Sequence, residues 1–162
     1  MSEGFPHLDA AGRARMVDVS EKAVTTRTAR AEGLVRCSAQ VVAALRGGGV
    51  PKGDAVAVAR LAGIQGAKRT PDLVPLAHPV AVHGVDVEVD VVDEGVRLAA
   101  TVRTADRTGV EMEALTAVAV AGLAVVDMVK GLDRLAEITD VRVVAKSGGR
   151  SGDWRRGGRA GG

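Results

Sequence analysis

Alternating apolar and polar positions mark four stretches of the chain as β-strands. Residues 25–37 place small apolar side chains on one face and charged ones on the other. Residues 85–91 and 96–103 alternate in the same way on either side of Asp93-Glu94-Gly95, which predicts a hairpin. The alternation slips at His83-Gly84, which indicates a β-bulge. The last strand is predicted over residues 138–146.

Three other stretches are typical of helices. Residues 38–46 follow Ser38, a good N-cap, and the glycines after them stop that helix. Residues 54–68 form the second helix, where Gly63 and Gly66 predict close backbone packing against another element. Residues 110–130 form a third helix so rich in apolar residues that both of its sides need cover.

The order of these elements predicts the fold class. Strand, helices, hairpin, helix and strand follow one another, which is typical of a ferredoxin-like α+β fold with helices on one face of an antiparallel sheet. Prolines 71, 75 and 79 keep residues 70–79 extended or turn-like. We expect a flexible arm at residues 1–15, one domain over residues 16–150, and a flexible Gly/Arg-rich tail at residues 151–162.

Size, charge and aromatic content argue against several classes of protein. The 162 residues suffice for one domain, and 22 Lys+Arg against 20 Asp+Glu give a net charge of only +2. The only aromatic residues, Phe5 and Trp154, offer little on which nucleic-acid bases could stack, so a nucleic-acid-binding module is disfavoured. No apolar run approaches a membrane span, no signal peptide is evident, and Cys37 is the only cysteine. We therefore expect a cytoplasmic protein.

Lys52 and His78 are the first candidates for chemistry. A cation beside a helix start opposes the helix dipole, so Lys52 with the free backbone N–H groups there predicts an anion site; a solvated turn lysine is the plain alternative. The rigid proline-rich loop holds His78 close to Lys68, Arg69 and Asp72 in sequence, which favours acid–base work over a purely structural role.

The long third helix carries candidates at both ends. Glu111 and Glu113 suit its first turn, which alone would explain them. Asp127 and Lys130 share a face, as an ordinary ion pair or as an acid–base pair, and the apolar residues before Asp127 predict a raised pKa for its carboxyl group. Because Glu113 and Asp127 lie about 21 Å apart along a helix, we expect an antiparallel neighbour from a second subunit to complete composite sites.

The glycine-rich stretch after Lys146 is the last candidate. Backbone N–H groups and basic side chains between Lys146 and Arg150 could wrap anionic groups, although a flexible tail is the commoner meaning of such composition. We favour Lys146 as a functional residue.

Four motifs together resemble the MoaC family, the cyclic pyranopterin monophosphate synthases of molybdenum cofactor biosynthesis. They are MVDVSEK, KGDAVAVARLAGIQGAKRTPDLVPLAHP, TGVEMEALTAVAVAGLAVVDMVK and AKSGGRSGDW, in that order. The resemblance implies a homohexamer, a trimer of dimers, with active sites at subunit interfaces. It also implies a GTP-derived substrate, 3′,8-cyclo-7,8-dihydro-GTP, which loses pyrophosphate and gains a cyclic phosphate.

The resemblance also implies roles for particular residues. Lys52, Asp127 and Lys130 would carry general acid–base catalysis. The substrate would be bound by Asp18, Lys22, Arg27, Lys68, Ala77, His78, Glu111, Met112, Glu113 and Lys146. No metal ligand set and no cofactor are expected, while Mg²⁺ on the substrate phosphates is compatible with the reaction. The family loop commonly has a cysteine where this chain has Ala77, so a thiol is no obligatory nucleophile here.

Two other functions use the same residues. A non-catalytic oligomer that binds nucleotide triphosphates would need the basic residues but not Asp127 or Glu113. A nucleic-acid-binding module would draw on the sequence pI of about 9.0 and the Arg/Gly tail, and would bind weakly with a steep salt dependence.

Overall fold

The elements of the chain follow the predicted order closely. The computed structural model describes residues 6–50 and 52–157. Its elements are β1 (Thr25–Arg36), α1 (Ala39–Gly47), α2 (Ala55–Lys68), α3 (Thr70–Leu73), β2 (Val82–Val92), β3 (Gly95–Asp106), α4 (Glu111–Val129), β4 (Glu137–Ser147) and β5 (Trp154–Arg155). The four predicted strands and three predicted helices are all present, with ends shifted by a few residues.

The strands form one open antiparallel sheet in the order β2-β3-β1-β4-β5. The hairpin turns at Asp93-Glu94, and the pairing of β2 with β3 shifts between Val82 and Gly84, so the predicted bulge is confirmed. Asp86 and Arg103, on opposite strands of the hairpin, form an ion pair of 2.7 Å. Together these features support the register of the pair.

Helix α2 packs against α4 through its two glycines. A Cβ atom added to Gly63 would lie 3.0 Å from the Ala117 carbonyl oxygen, and one added to Gly66 would lie 2.9 Å from the Val120 Cβ. Neither position therefore has room for a side chain without a shift of the helices. The close packing that the sequence predicted for these glycines is confirmed, and it fixes α2 along α4.

Helix α4 is the central element of the core. It contacts β1, β3, β4 and α2, and Ala117, Val118 and Val125 are fully or almost fully buried. By length and composition alone it could cross a membrane, but 56% of its most apolar window is buried inside the chain, as in a core helix. Among residues 6–50 and 52–157 its outer side is left partly uncovered, since Leu123 remains 60% exposed.

Four features differ from the sequence-based prediction. Residues Thr70–Leu73 form a short helix, because Pro71 lies in its first turn, where a missing N–H costs nothing. Trp154–Arg155 pair with β4, so the tail contains a strand. Strand β4 is irregular, with Asp140 in the left-handed region at φ 58° and two shifts of register against β1. In the N-terminal segment, Leu8 and Ala14 form a β-bridge. The predicted flexibility of both termini stays a prediction.

Candidate active site

Two groups of predicted site residues lie at opposite ends of α4. The first group, here called the lysine cluster, consists of Lys52, Asp127 and Lys130. The Oδ1 atom of Asp127 accepts hydrogen bonds from Lys130 Nζ at 2.7 Å and from Lys52 Nζ at 3.0 Å. One carboxylate oxygen thus holds two ammonium groups side by side.

The charge of Asp127 is set by these two lysines. Hydrogen bonds from Lys130 and then Lys52 hold the pKa of its carboxyl group below the ordinary aspartate value. The raised pKa predicted from the sequence is therefore wrong for the chain by itself. The apolar residues that precede Asp127 are neighbours in sequence, but its side chain at the helix end is 55% exposed. Asp127 is accordingly ionised at neutral pH.

Lys52 reaches the cluster from the turn before α2. The N-cap of that helix is Asp54, whose carboxylate accepts a hydrogen bond from the Ala57 N–H at 2.9 Å. The helix start therefore already has one of its free N–H groups bound by a carboxylate, and the anion site predicted there stays a prediction. The position of Lys52 is explained by its ion pair with Asp127 across the α2–α4 interface.

The second group surrounds two cavities at the N-terminal end of α4. The larger cavity has a volume of about 440 Å³. It is lined by His7, Val74, Leu76, Ala77, His78, Val80, Thr108, Gly109, Glu111, Met112 and Glu113. Five predicted substrate-binding residues therefore line the same cavity: Ala77, His78, Glu111, Met112 and Glu113. His7, which the sequence analysis left in the N-terminal arm, also belongs to it.

His78 joins the larger cavity to residues 16–24, here called the N-terminal strap. Its Nε2 atom lies 2.5 Å from the carbonyl oxygen of Val17. Since a carbonyl can only accept, Nε2 is the donor in this contact. Asp18, next in the chain, accepts from the Ser20 N–H at 2.9 Å, and this bond lowers the pKa of its carboxyl group. Asp18 and His78 are thereby brought close together.

Glu113 is the buried acid of the larger cavity. It is only 3% exposed, and burial raises the pKa of its carboxyl group, with the nearby Glu111 acting in the same direction. An acid in this position changes its protonation state more easily near neutral pH than an exposed glutamate does. Of the carboxyl groups around the larger cavity, Glu113 is best suited to exchange a proton.

Replacing Glu113 by glutamine is expected to raise thermal stability at neutral pH. A carboxyl group whose pKa is raised by folding favours the folded state at low pH, and this contribution is lost as the pH rises from the ordinary glutamate value through the raised one. We expect Glu113→Gln to increase Tm by about 2–4 °C at pH 7.5, and the difference to shrink near about pH 4. Calorimetry at both pH values checks this, and an equal change at both would contradict it.

The smaller cavity adjoins the larger one and is basic. Its volume is about 190 Å³. It is lined by Lys22, Arg27, Thr28, Thr108, Gly109, Glu111, Lys146, Ser147, Gly148 and Ser151. Lys146 Nζ lies 3.2 Å from Glu111 Oε1, and Glu111 also lines the larger cavity. One carboxylate therefore stands between the two spaces and balances one of three cations.

Arg27 is held in place by backbone groups. Its Nε donates to the Asp106 carbonyl at 3.1 Å and its Nη2 to the Arg107 carbonyl at 3.3 Å. Gly149, with φ 75°, lies against the guanidinium so closely that a Cβ there would collide with it. The glycine-rich loop after Lys146 is thus packed against the smaller cavity, which agrees with the anion-wrapping alternative for this stretch; the functional role of Lys146 stays a prediction.

The predicted residues divide clearly between these places. Two predicted substrate-binding residues line neither cavity: Asp18, which stays close to His78, and Lys68, which ends α2 and has no ion pair within residues 6–50 and 52–157. Thr108 and Gly109 line both cavities but were missed as individual site residues; their position just before α4 was the available signal. In the part of the chain that the structure describes, no group of three or more His, Cys, Asp or Glu side chains could hold a metal ion.

The two groups cannot meet within one chain. Glu113 and Asp127 belong to the same continuous helix, and fourteen residues correspond to about 21 Å along its axis. A small substrate in the two cavities would not reach the lysine cluster of its own chain.

Comparisons with known proteins agree with the family resemblance. A sequence model of the MoaC family matches residues 16–149. The cyclic pyranopterin monophosphate synthase of Streptomyces griseus is 68% identical over 93% of this chain and 85% of its own length. That of Streptomyces coelicolor is 67% identical over 93% and 88%. Cyclic pyranopterin monophosphate synthase 2 of Mycobacterium tuberculosis is 58% identical over 93% and 90%. This chain belongs to the MoaC family.

Proposed function

We propose that this protein is a cyclic pyranopterin monophosphate synthase, a phosphorus-oxygen lyase of molybdenum cofactor biosynthesis. It converts 3′,8-cyclo-7,8-dihydro-GTP to cyclic pyranopterin monophosphate and releases pyrophosphate. Relatives with this name are 58–68% identical over most of the chain. The observation that carries the proposal is the pairing of a larger, partly apolar cavity with a smaller basic one, since the substrate pairs a fused ring system with a triphosphate.

The substrate fits the two cavities in one orientation. Lys22, Arg27 and Lys146 supply the positive charge that a triphosphate requires. The larger cavity, with Met112 and Ala77 as apolar walls and His78 and Glu113 as polar ones, receives the ring system. Glu111 lies between them and must exchange its ion pair with Lys146 when phosphate oxygens arrive. Asp18 completes the site from the N-terminal strap, and Lys68 adds to the positive field.

A second subunit completes the site. The exposed outer side of α4, including Leu123, and the two groups about 21 Å apart both favour an antiparallel neighbour that brings its lysine cluster to these cavities. We propose a homohexamer, a trimer of dimers, built from ferredoxin-like subunits. The strand order β2-β3-β1-β4 and the β-α-β-β-α-β connectivity support that classification of the subunit.

The lysine cluster carries the proton transfers. Lys52 and Lys130 act as donors to the oxygen atoms that gain charge when pyrophosphate leaves and the cyclic phosphate forms. Asp127, ionised between them, aligns the two ammonium groups and receives a proton in turn. Ala77 has no reactive group, so the reaction uses no thiol at that position.

The proposed enzyme needs neither a redox cofactor nor a resident metal. The reaction as written transfers no electrons, so it calls for no redox cofactor, and no resident metal is proposed. Mg²⁺ carried on the substrate phosphates is compatible with the basic cavity. We propose a cytoplasmic enzyme that acts on a small nucleotide, without a nucleic-acid or membrane partner.

Asp127→Asn separates an enzyme from a protein that only binds nucleotide triphosphates. The amide keeps the shape of the side chain but cannot hold two ammonium groups by charge or accept a proton. We expect turnover to fall by a factor of roughly 10² or more, while GTP binding, measured by calorimetry, changes little. Pyrophosphate release from the cyclic substrate measures turnover. A wild-type protein that binds GTP but releases no pyrophosphate would instead be the non-catalytic oligomer.

A further inference from the structure

Arg107, between β3 and α4, contacts two of the residues that form the basic cavity. Its Nε donates to the carbonyl oxygen of Lys22 at 3.2 Å, and its own carbonyl accepts from Arg27 Nη2 at 3.3 Å. One residue thus holds the backbone that carries one cation and the guanidinium of another. Arg107 itself does not line the smaller cavity.

Asp106 holds Arg107 in position. Its Oδ1 accepts from the Arg107 N–H at 2.7 Å, and its Oδ2 accepts from the Ala81 N–H at 3.2 Å. Ala81 follows the loop that carries His78. The two carboxylate oxygens therefore connect the start of the α4 loop to the loop of the larger cavity, and Arg107 extends this connection to the N-terminal strap.

The N-terminal strap needs such an attachment. Residues 16–24 contain no helix or strand, and most of them are exposed. Within the described residues, two side-chain hydrogen bonds join the strap to the rest of the chain: His78 to Val17 and Arg107 to Lys22. Without the second, the described residues hold Lys22 through the His78–Val17 bond five residues away, the turn from Val19 to Lys22 and the start of β1.

Given the function proposed above, we propose that Arg107 is a positioning residue: through its Nε it fastens the strap so that Lys22 stands beside Arg27 in the basic cavity before substrate arrives. This attachment increases the affinity for substrate, because the cations are already in place and the strap loses less conformational entropy when phosphate binds. Arg107 acts as a tether, so its charge matters less than its N–H.

Glutamine at position 107 distinguishes a tether from a charge. Its Nε2 is separated from Cα by the same three carbons as the Nε of arginine, so Arg107→Gln keeps a donor for the Lys22 carbonyl and removes the charge. Arg107→Ala removes both. Arg103→Ala is the matched control, because it removes one cation from the same region of β3, where Arg103 pairs with Asp86 away from both cavities.

Two measurements test the proposal. We expect Arg107→Ala to raise KM for the cyclic substrate roughly tenfold with kcat within about threefold, and Arg107→Gln and Arg103→Ala to stay near wild type. Trypsin cleavage after Lys22, followed by mass spectrometry in the full-length protein, should become faster in Arg107→Ala alone. The cleavage assay does not depend on catalysis.

The outcomes are distinct. If Arg107→Gln loses affinity as Arg107→Ala does, the charge is what matters and the tether is refuted. Unchanged cleavage after Lys22 in Arg107→Ala also refutes it. If the wild-type protein releases no pyrophosphate, the proposed function fails, while the cleavage rates still decide whether Arg107 fastens the strap.

Discussion

Replacing Lys130 by alanine is expected to abolish product formation. Its ammonium group makes the shorter of the two bonds to Asp127, and without it the carboxylate pairs only with Lys52. The site then loses a proton donor and one positive charge where the departing pyrophosphate develops negative charge. We expect turnover to fall by a factor of about 10³ or more, as in the corresponding Lys52→Ala variant. Pyrophosphate release is the direct measurement.

The proposed oligomer should survive both substitutions, because the two lysines are exposed in the subunit and lie outside its buried core. Light scattering checks this. Arg134→Ala is a suitable control: it removes an exposed cation four residues beyond Lys130 and should leave turnover close to wild type. Turnover at the wild-type rate in either lysine variant would contradict the assigned roles.

Mixing Lys130→Ala with Glu113→Gln is expected to restore activity, since we expect the second variant, which removes the buried acid of the larger cavity, to be inactive as well. If each site combines the lysine cluster of one subunit with the cavities of its neighbour, a dimer of one Lys130→Ala chain and one Glu113→Gln chain has one doubly altered site and one intact site. After random exchange half of the dimers are mixed, so about a quarter of wild-type activity should return. Glu113→Gln suits this experiment because its fold should be at least as stable as wild type.

The matched control uses two variants of the same cluster. Lys52 and Lys130 belong to the same lysine cluster, so each composite site takes both residues from one chain. In a mixed dimer of Lys52→Ala and Lys130→Ala chains, one site therefore lacks Lys52 and the other lacks Lys130. No site is intact, so no activity should return. Exchange is verified by co-purification of differently tagged chains. Verified exchange without recovery in the Lys130→Ala and Glu113→Gln mixture would contradict the composite site.

The sequence predicted those elements well whose structure depends on a pattern within the element itself. The alternation along β1 specifies a strand whose Ala29 and Ala31 are buried, and Gly63 and Gly66 mark where two helices touch. The short helix α3 was missed because prolines suppress helix in general but are tolerated in a first turn. Strand β5 was missed because it forms only by pairing with the edge of β4, and the glycine-rich sequence around it carries no strand pattern of its own.

The candidate site was predictable as a set of residues but not as a geometry. Motifs brought together most of the residues that line the two cavities. They could not reveal that Glu111 stands between those cavities, because its partner Lys146 is distant in sequence. The lowered pKa of Asp127 owes most to Lys130, three residues away, but its exposure and its second bond, from Lys52, depend on how α2 and α4 pack. Arg107 lacked a signal of its own, because its side chain donates to the backbone carbonyl of Lys22, and every residue possesses such a carbonyl.

The tight seam between α2 and α4 makes the long helix a spacer of fixed length. Because the glycines leave no slack for sliding, the chain cannot adjust the interval between its two functional ends. One extra turn would displace them by about 5.4 Å, and in the proposed composite site the lysine cluster of one subunit would no longer meet the cavities of the next. Insertions should therefore be tolerated at the tail or in the hairpin turn, whereas α4 must keep its number of residues if the proposed composite site is to form.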